Sequence, residues 1–206
     1  WWLADMGYQN IQGATVVGLR CSDGVVLAAE KRVSWGRMVA SRHGKKVFQI
    51  TPNMGLAFAG LVSDMQAMTR EVTAYANLYD LEHNREITVR SMAKLISNML
   101  FQRRMMPLLM ETVVGGVDID GPTLFSMDPV GSLIPDPFIT AGSGAPIAMG
   151  LVEAKYSESM DLEAGAKLAL DAIRSAVARD VVSGDGVDIL LIRRNETEER
   201  THTTKS

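Results

Sequence analysis

Cysteine and histidine are scarce in this sequence. Cys21 is the only cysteine, so the chain cannot form a disulfide within itself. The three histidines, His43, His83 and His202, are too scattered to give a zinc-ligand spacing. We therefore expect no metal and no other cofactor. We also expect the protein to work in the cytoplasm, where thiols stay reduced.

Neither a basic excess nor a long apolar run is present. The chain has 21 Lys and Arg residues against 24 Asp and Glu residues, and a formal charge of -3 lacks the positive footprint that nucleic-acid binding needs. No apolar segment approaches the ~20 residues that cross a bilayer. Trp1-Trp2-Leu3 is too short, and too soon followed by Asp5, for a signal peptide. We expect neither nucleic acid nor membrane as a partner.

Apolar residues are plentiful and arranged in short runs. They make up 47% of the 206 residues, enough for the core of one compact domain. Residues 1–13 show no periodicity, whereas a β-branched run begins after Gly13. Ser22-Asp23-Gly24 has the chemistry of a hairpin turn, and Thr51-Pro52-Asn53 predicts a second one. The first predicted strands are residues 14–19, 25–29, 47–50 and 54–59.

From residue 61 the apolar spacing changes to three and four residues, which is typical of one face of a helix. Helices are predicted over residues 61–78, 89–105, 146–155 and 162–179, and strands over 108–117, 123–127, 138–141 and 187–193. This order predicts an α+β fold, a four-layer αββα sandwich of two stacked antiparallel sheets flanked by helix pairs. Other α+β arrangements also fit the pattern. The polar residues 195–206 are expected to be a frayed tail.

Several short sequence blocks follow one another along the chain. They are Gly13-Ala14-Thr15-Val16-Val17-Gly18, residues 23–32, Lys45-Lys46-Val47, Ala59-Gly60, Gly142-Ser143-Gly144, Arg179-Asp180 and Ser183-Gly184-Asp185-Gly186. In this order and spacing the blocks resemble the β-type subunits of the proteasome core particle, which are N-terminal-nucleophile (Ntn) hydrolases. The resemblance spans residues 13–192 and looks archaeal. An α-type subunit is disfavoured because residues 1–13 do not match its longer N-terminal helical segment.

The family resemblance implies a threonine peptidase. A threonine hydroxyl attacks the peptide carbonyl, and the free α-amine of the same residue, with an ordinary pKa of about 8, acts as the general base. By the same resemblance Lys46 keeps the site positive and Glu30 pairs with it. Gly60 supplies an oxyanion N–H. The residues that surround the terminal amine are Ser143, Asp180 and Ser183. Without the resemblance, an ordinary surface ion pair is the favoured interpretation of Glu30 and Lys46, and turn or cap chemistry fits the other residues as well as a functional role does.

Position 14, where the family has its threonine, carries alanine. The side chain has no hydroxyl, so we expect this chain to be inactive and to keep residues 1–13 as an uncleaved propeptide on a domain of residues 14–194. Thr15 should not substitute, because side chains alternate across a strand. Two explanations stay open. Either alanine replaces an active subunit's threonine to trap the precursor, or the chain is a naturally non-catalytic structural β subunit beside an active one.

The resemblance also implies a substrate pocket and partners. The pocket positions are mostly apolar, and Phe58 could narrow the pocket or simply pack in the core. The implied partners are α-type subunits in seven-membered rings and other β subunits, in a homomeric or mixed ring. Unfolded polypeptide is the implied substrate, and an ATP-dependent regulatory cap is an indirect partner. An unrelated α+β binding module is the remaining alternative. The pocket residues are Val33, Gly44, Phe48, Phe58 and Val62.

Overall fold

The computed structural model describes residues 13–36 and 38–203, and within these ranges the chain forms twelve strands and four helices. The expected propeptide therefore lies, apart from Gly13, outside the described residues. The strands are β1 (Val16–Cys21), β2 (Gly24–Glu30), β3 (Val33–Trp35), β4 (Met38–Ser41), β5 (Val47–Thr51), β6 (Met54–Gly60), β7 (Met110–Asp118), β8 (Gly121–Met127), β9 (Ile134–Pro135), β10 (Phe138–Ala141), β11 (Val187–Arg193) and β12 (Glu196–His202). The helices are α1 (Val62–His83), α2 (Val89–Gln102), α3 (Ala145–Lys155) and α4 (Leu162–Val177).

Two five-stranded antiparallel sheets form the centre of the molecule. The first has the strand order β10-β1-β2-β11-β12 and the second has the order β5-β6-β7-β8-β9. The turn at Ser22-Asp23-Gly24 closes the β1–β2 hairpin in the predicted way, pairing Cys21 with Gly24. Strands β3 and β4 form a separate small hairpin.

Three apolar clusters hold the layers together. One, with Val16, Leu27 and Val113, lies between the two sheets. A second lies between the second sheet and helices α1 and α2, and a third between the first sheet and helices α3 and α4. The predicted four-layer αββα sandwich is confirmed, because each sheet buries one face on its partner sheet and the other under a helix pair.

Strand β1 shows how one segment serves two layers. Ala14 and Val16 belong to the cluster between the sheets, whereas Val17 and Leu19 belong to the cluster under helices α3 and α4. This follows from the two-residue period of a strand. A strand buried on both faces reads as a continuous apolar run, which is why its sequence signal was clear.

The helices follow the predicted segments but end at residues that local chemistry selects. Helix α1 continues five residues beyond its predicted end and stops at Asn84, whose φ of 50° is left-handed. Thr88 caps the N-terminus of helix α2, because its side chain accepts a hydrogen bond from the Ser91 N–H. Asp161 caps the N-terminus of α4 in the same way and accepts from the Ala164 N–H. No helix in residues 13–36 and 38–203 is long and apolar enough to span a membrane.

Four strands were not predicted, namely β3, β4, β12 and the two-residue β9. The expectation of a frayed tail is wrong for β12, which pairs with β11 along its whole length. Its side chains are polar because it is an edge strand, but Thr201 still donates a 2.7 Å hydrogen bond to the buried Asp188 carboxylate. The β3–β4 hairpin was missed because its strands are short and β4 is exposed throughout.

The lone thiol offers a test of this packing. Burial, with added repulsion from Asp23 and then Asp161, raises the pKa of Cys21 to about 12. At pH 8 the native protein should therefore not react with a thiol-specific chromogenic reagent over an hour, whereas the denatured chain should react with one equivalent. A Cys21→Ala variant, which has no thiol, measures the background reaction of the reagent. Rapid labelling of the native protein would contradict the buried position of β1.

Candidate active site

The predicted site residues lie where strands of both sheets end. Val16 pairs with Ala29 and with Ala141, so the start of β1 lies between the ends of β2 and β10. Val187 pairs with Glu30, which brings the start of β11 to the same edge. The antiparallel order of this sheet thus brings Glu30, Ser143, Asp180 and Ser183 to the edge where residue 14 lies. Lys46 joins them through its ion pair with Glu30. Gly60 ends β6 in the second sheet, and the preceding residue, Ala59, lies beside Gly142.

Ala14 is completely buried and closely surrounded. Its carbonyl oxygen accepts a 3.3 Å hydrogen bond from the Gly144 N–H, and the Ser143 hydroxyl lies 3.4 Å from the same oxygen. Gly13 has no room for a side chain, since a Cβ there would come within 1.7 Å of Val182 Cγ2 and 2.6 Å of Ser143 Oγ. A glycine–alanine junction therefore lies directly against the serine.

A chain of hydroxyl groups converges on Asp180. Ser143 and Ser183 each donate a 2.6 Å hydrogen bond to Asp180 Oδ2. Because the Ser183 proton is used in this way, Thr15 donates the 2.9 Å hydrogen bond that joins it to Ser183. Thr15 was missing from the predicted site. Its hydroxyl points to the sheet face opposite the Ala14 methyl group, as strand alternation requires.

Glu30 and Lys46 form a buried ion pair, with 0% and 2% of their side chains exposed. The ammonium donates to Glu30 Oε1 and, at 2.6 Å, to the Arg32 carbonyl oxygen. The other carboxylate oxygen accepts hydrogen bonds from the N–H groups of Arg32 at 2.7 Å and Gly184 at 2.9 Å. This excludes the alternative of an ordinary surface pair and links the two sheets.

Burial acts on both charges of the pair. It raises the pKa of Glu30 and lowers the pKa of Lys46, while the attraction between the two groups opposes both shifts. The charge of Asp180 also favours the protonated lysine. The net effect is that the pKa of Lys46 lies below that of a free lysine.

Gly60 ends β6 in a conformation that no other residue adopts easily. Its φ is 144°, and a Cβ would lie 2.1 Å from the Leu109 carbonyl oxygen. The next residue, Leu61, donates to that same oxygen at 2.7 Å and precedes helix α1. The backbone is thus fixed at this corner, and the oxyanion role of Gly60 stays a prediction.

The predicted substrate pocket is divided between the site and the core. Val33 and Gly44 are in contact, because a Cβ on Gly44 would come 2.4 Å from Val33 Cγ2. The rings of Phe48 and Phe58 lie 5.9 Å apart, but Phe58 is fully buried in the cluster under α1 and α2. Val62, half-buried, begins α1. The substrate pocket stays a prediction.

Arg32 and Asp185 also connect to the site, although sequence reasoning gave them no role. Arg32 Nε donates to Asp185 Oδ2 at 2.8 Å, and Arg42 donates to the other oxygen at 2.8 Å. The sequence signal that could have indicated a role was their position inside the blocks that resemble the proteasome β-type subunits. Among the described side chains, no group of three His, Cys, Asp or Glu residues is placed to hold a metal ion.

The fold and the site together define a class of protein. Two antiparallel sheets stacked between helix pairs, with a polar cluster at the first residue of a buried central strand, are the Ntn-hydrolase architecture. The proteasome subunit family matches residues 11–192 of the chain.

Several archaeal proteins are similar over nearly the whole length. Proteasome subunit beta 2 of Thermofilum pendens is 47% identical over 188 residues, which cover 91% of this chain and 92% of that protein. Proteasome subunit beta 1 of Hyperthermus butylicus is 47% identical over 192 residues, 93% and 94% of the two chains. Proteasome subunit beta 2 of Caldivirga maquilingensis is 49% identical over 186 residues, 90% and 93%. The chain belongs to the proteasome subunit family, among the archaeal β-type subunits, as the sequence predicted.

Breaking the buried ion pair should destabilise the protein strongly. Glu30→Gln keeps the side-chain shape but leaves the Lys46 ammonium without a counter-charge, and we expect a loss of about 3 kcal/mol in the free energy of unfolding. Lys45→Met is the matched control, since Lys45 pairs with Glu199 on the surface and should cost less than about 1 kcal/mol. Urea unfolding measures both. Equal effects of the two substitutions would refute a special role for the buried pair.

Asp185 should make stability depend on acid pH. The hydrogen bond from Arg32, followed by the charges of Arg32 and Arg42, holds the pKa of its carboxyl below the ordinary value. The stabilisation is present above the unfolded-state pKa of about 3.9 and is lost as pH falls through the lower folded-state pKa. The stability difference between the parent and Asp185→Asn should therefore be largest near pH 7 and shrink below about pH 4. Asp120→Asn, at an exposed turn, removes the same charge and is the control for net charge.

Proposed function

We propose that this chain occupies a β-subunit position in the proteasome core particle, in the class of N-terminal-threonine endopeptidases, but neither cleaves peptides nor removes its own residues 1–13. One observation supports this most directly. Ser143 contacts the carbonyl oxygen of residue 14 and shares Asp180 with Ser183, and residue 14 is Ala14, with a methyl group where the proposed mechanism needs an attacking oxygen.

The chemistry of a threonine at position 14 follows from the surrounding groups. Its hydroxyl would attack a peptide carbonyl after transferring its proton to the α-amine of the same residue. Lys46, kept charged by Glu30, would stabilise negative charge on the attacking oxygen, and the Gly60 N–H would stabilise the oxyanion. Ser143, Asp180 and Ser183 would orient the amine and carry its proton through hydrogen bonds.

Ala14 prevents the first step of this reaction. Without a side-chain oxygen, no bond to the substrate carbonyl forms. Cleavage after Gly13 uses the same oxygen, so the α-amine of residue 14 stays in a peptide bond and cannot act as a base. Thr15 does not replace it, since its hydroxyl faces the opposite side of β1 and is engaged by Ser183.

The inferred setting is a β ring, homomeric or mixed, stacked on rings of seven α-type subunits. Unfolded polypeptide that enters the ring from an ATP-dependent cap would be the substrate of any active subunit. The apolar positions Val33, Phe48 and Val62 would contact the substrate side chain before the cleaved bond. Apolar side chains would fit such a surface best.

A second candidate is a naturally non-catalytic structural subunit that assembles with an active β subunit. The similar archaeal proteins carry the names beta 1 and beta 2, a numbering that distinguishes more than one β subunit. In this case Glu30, Lys46 and Asp180 would be retained for the stability of the fold. The two candidates differ in whether the surrounding groups can still support catalysis.

Restoring the hydroxyl tests the proposal. Ala14→Thr, assembled with archaeal α subunits, should lose residues 1–13 by intact mass and should hydrolyse a fluorogenic peptide at least about a thousandfold faster than the Ala14 particle. Ala14→Val, which has the shape of threonine without its oxygen, is the control and should do neither. An assembled Ala14→Thr particle that stays unprocessed and silent would favour the structural candidate. Peptide cleavage or propeptide loss by the Ala14 particle itself would refute the proposal.

A further inference from the structure

The loop of residues 178–186, between α4 and β11, carries Asp180 and Ser183 but has little apolar anchoring. Val181 at its tip is 85% exposed. Asp185 has a φ of 68°, which is unfavourable for a residue other than glycine. Polar contacts must therefore hold the loop in the conformation that brings Ser183 to Asp180.

Arg32 supplies contacts on both sides of Ser183. Its Nη1 donates a 2.8 Å hydrogen bond to the Val181 carbonyl oxygen, and its Nε donates a 2.8 Å hydrogen bond to Asp185 Oδ2. The guanidinium also lies against Gly184, where a Cβ would come 2.4 Å from Arg32 Nη2. One planar group thus contacts the loop at three residues.

The backbone of Arg32 connects this loop to the buried ion pair. Its carbonyl oxygen accepts from Lys46, and its N–H donates to Glu30. The side chain is 22% exposed and that of Asp185 is 7% exposed, so water competes weakly for the contact. A displacement of Arg32 would therefore shift the loop relative to Lys46.

We propose that Arg32 is a positioning residue, whose guanidinium holds the loop of residues 178–186 so that Asp180 and Ser183 stay in place beside residue 14. The guanidinium fork is needed because two acceptors in different directions must be satisfied at once. A lysine carries the same charge but has a single terminal nitrogen and cannot replace it. The catalytic consequence rests on the proposed function, whereas the structural consequence does not.

Arg42 provides a matched control. It donates a 2.8 Å hydrogen bond to Asp185 Oδ1, on the same carboxylate as Arg32, but its side chain is 63% exposed. No hydrogen bond joins its side chain to Val181 among the described contacts. Arg32→Lys and Arg42→Lys conserve net charge equally, so they separate the positioning of the loop from a general effect of charge on Asp185.

The experiment has two parts. In the Ala14 chain, hydrogen–deuterium exchange of residues 181–185 should be about tenfold faster in Arg32→Lys and unchanged in Arg42→Lys. In assembled Ala14→Thr particles, Arg32→Lys should lower kcat for a fluorogenic peptide by about tenfold to a hundredfold, with KM changed less than about threefold, because the catalytic groups are misplaced while the pocket is not. Arg42→Lys should stay within about twofold in both constants.

The outcomes separate this inference from the proposed function. If the Ala14→Thr parent particle does not cleave the peptide, the proposed catalytic role of the groups around residue 14 fails. The hydrogen–deuterium exchange measurement alone then decides the role of Arg32. Unchanged exchange in Arg32→Lys overturns the inference, as does an equal effect of Arg42→Lys. In an active parent, full activity of Arg32→Lys also overturns it. A uniform rise in exchange over the whole chain would show a structural role only and would likewise overturn it.

Discussion

The pairing of Glu30 with Lys46 is the constraint on which the site depends. Two opposite charges almost without solvent contact persist only if every donor and acceptor finds a partner. Backbone groups of Arg32 and Gly184 supply those partners. The end of β2, the segment before β5 and the loop before β11 are therefore brought together, and the same requirement joins the two sheets at the edge where residue 14 lies.

Residue 14 is held by the fold through both its side chain and its backbone. The alanine methyl group lies fully buried in the cluster between the sheets, and the carbonyl of the same residue contacts Gly144 and Ser143. The surrounding hydroxyl and carboxylate groups satisfy one another through Asp180. The fold around residue 14 is therefore complete with a methyl side chain at this position.

Segments with strong local signals were predicted well. The apolar run of β1, the Asp23-Gly24 turn and the helical spacing of α2 carry their structure in adjacent residues, and the sandwich follows because each element has apolar faces to bury. The β12 strand was mistaken for a tail because an edge strand needs no apolar face. Helix α1 exceeded its predicted end because nothing before Asn84 stops it.

The sequence by itself determined the order of the main buried strands and of the helices, the family, and the absence of a side-chain oxygen at residue 14, since each is a property of neighbouring residues or of their spacing. Only the tertiary structure decided that Thr15 donates to Ser183, 168 residues away, that Phe58 packs in the core, and that Arg32 contacts the loop before β11. These depend on which strand ends meet. Which strand ends come together is set by the burial of the apolar sheet and helix faces and of the Glu30–Lys46 pair. These contacts join distant parts of the chain, so no local sequence pattern predicts them.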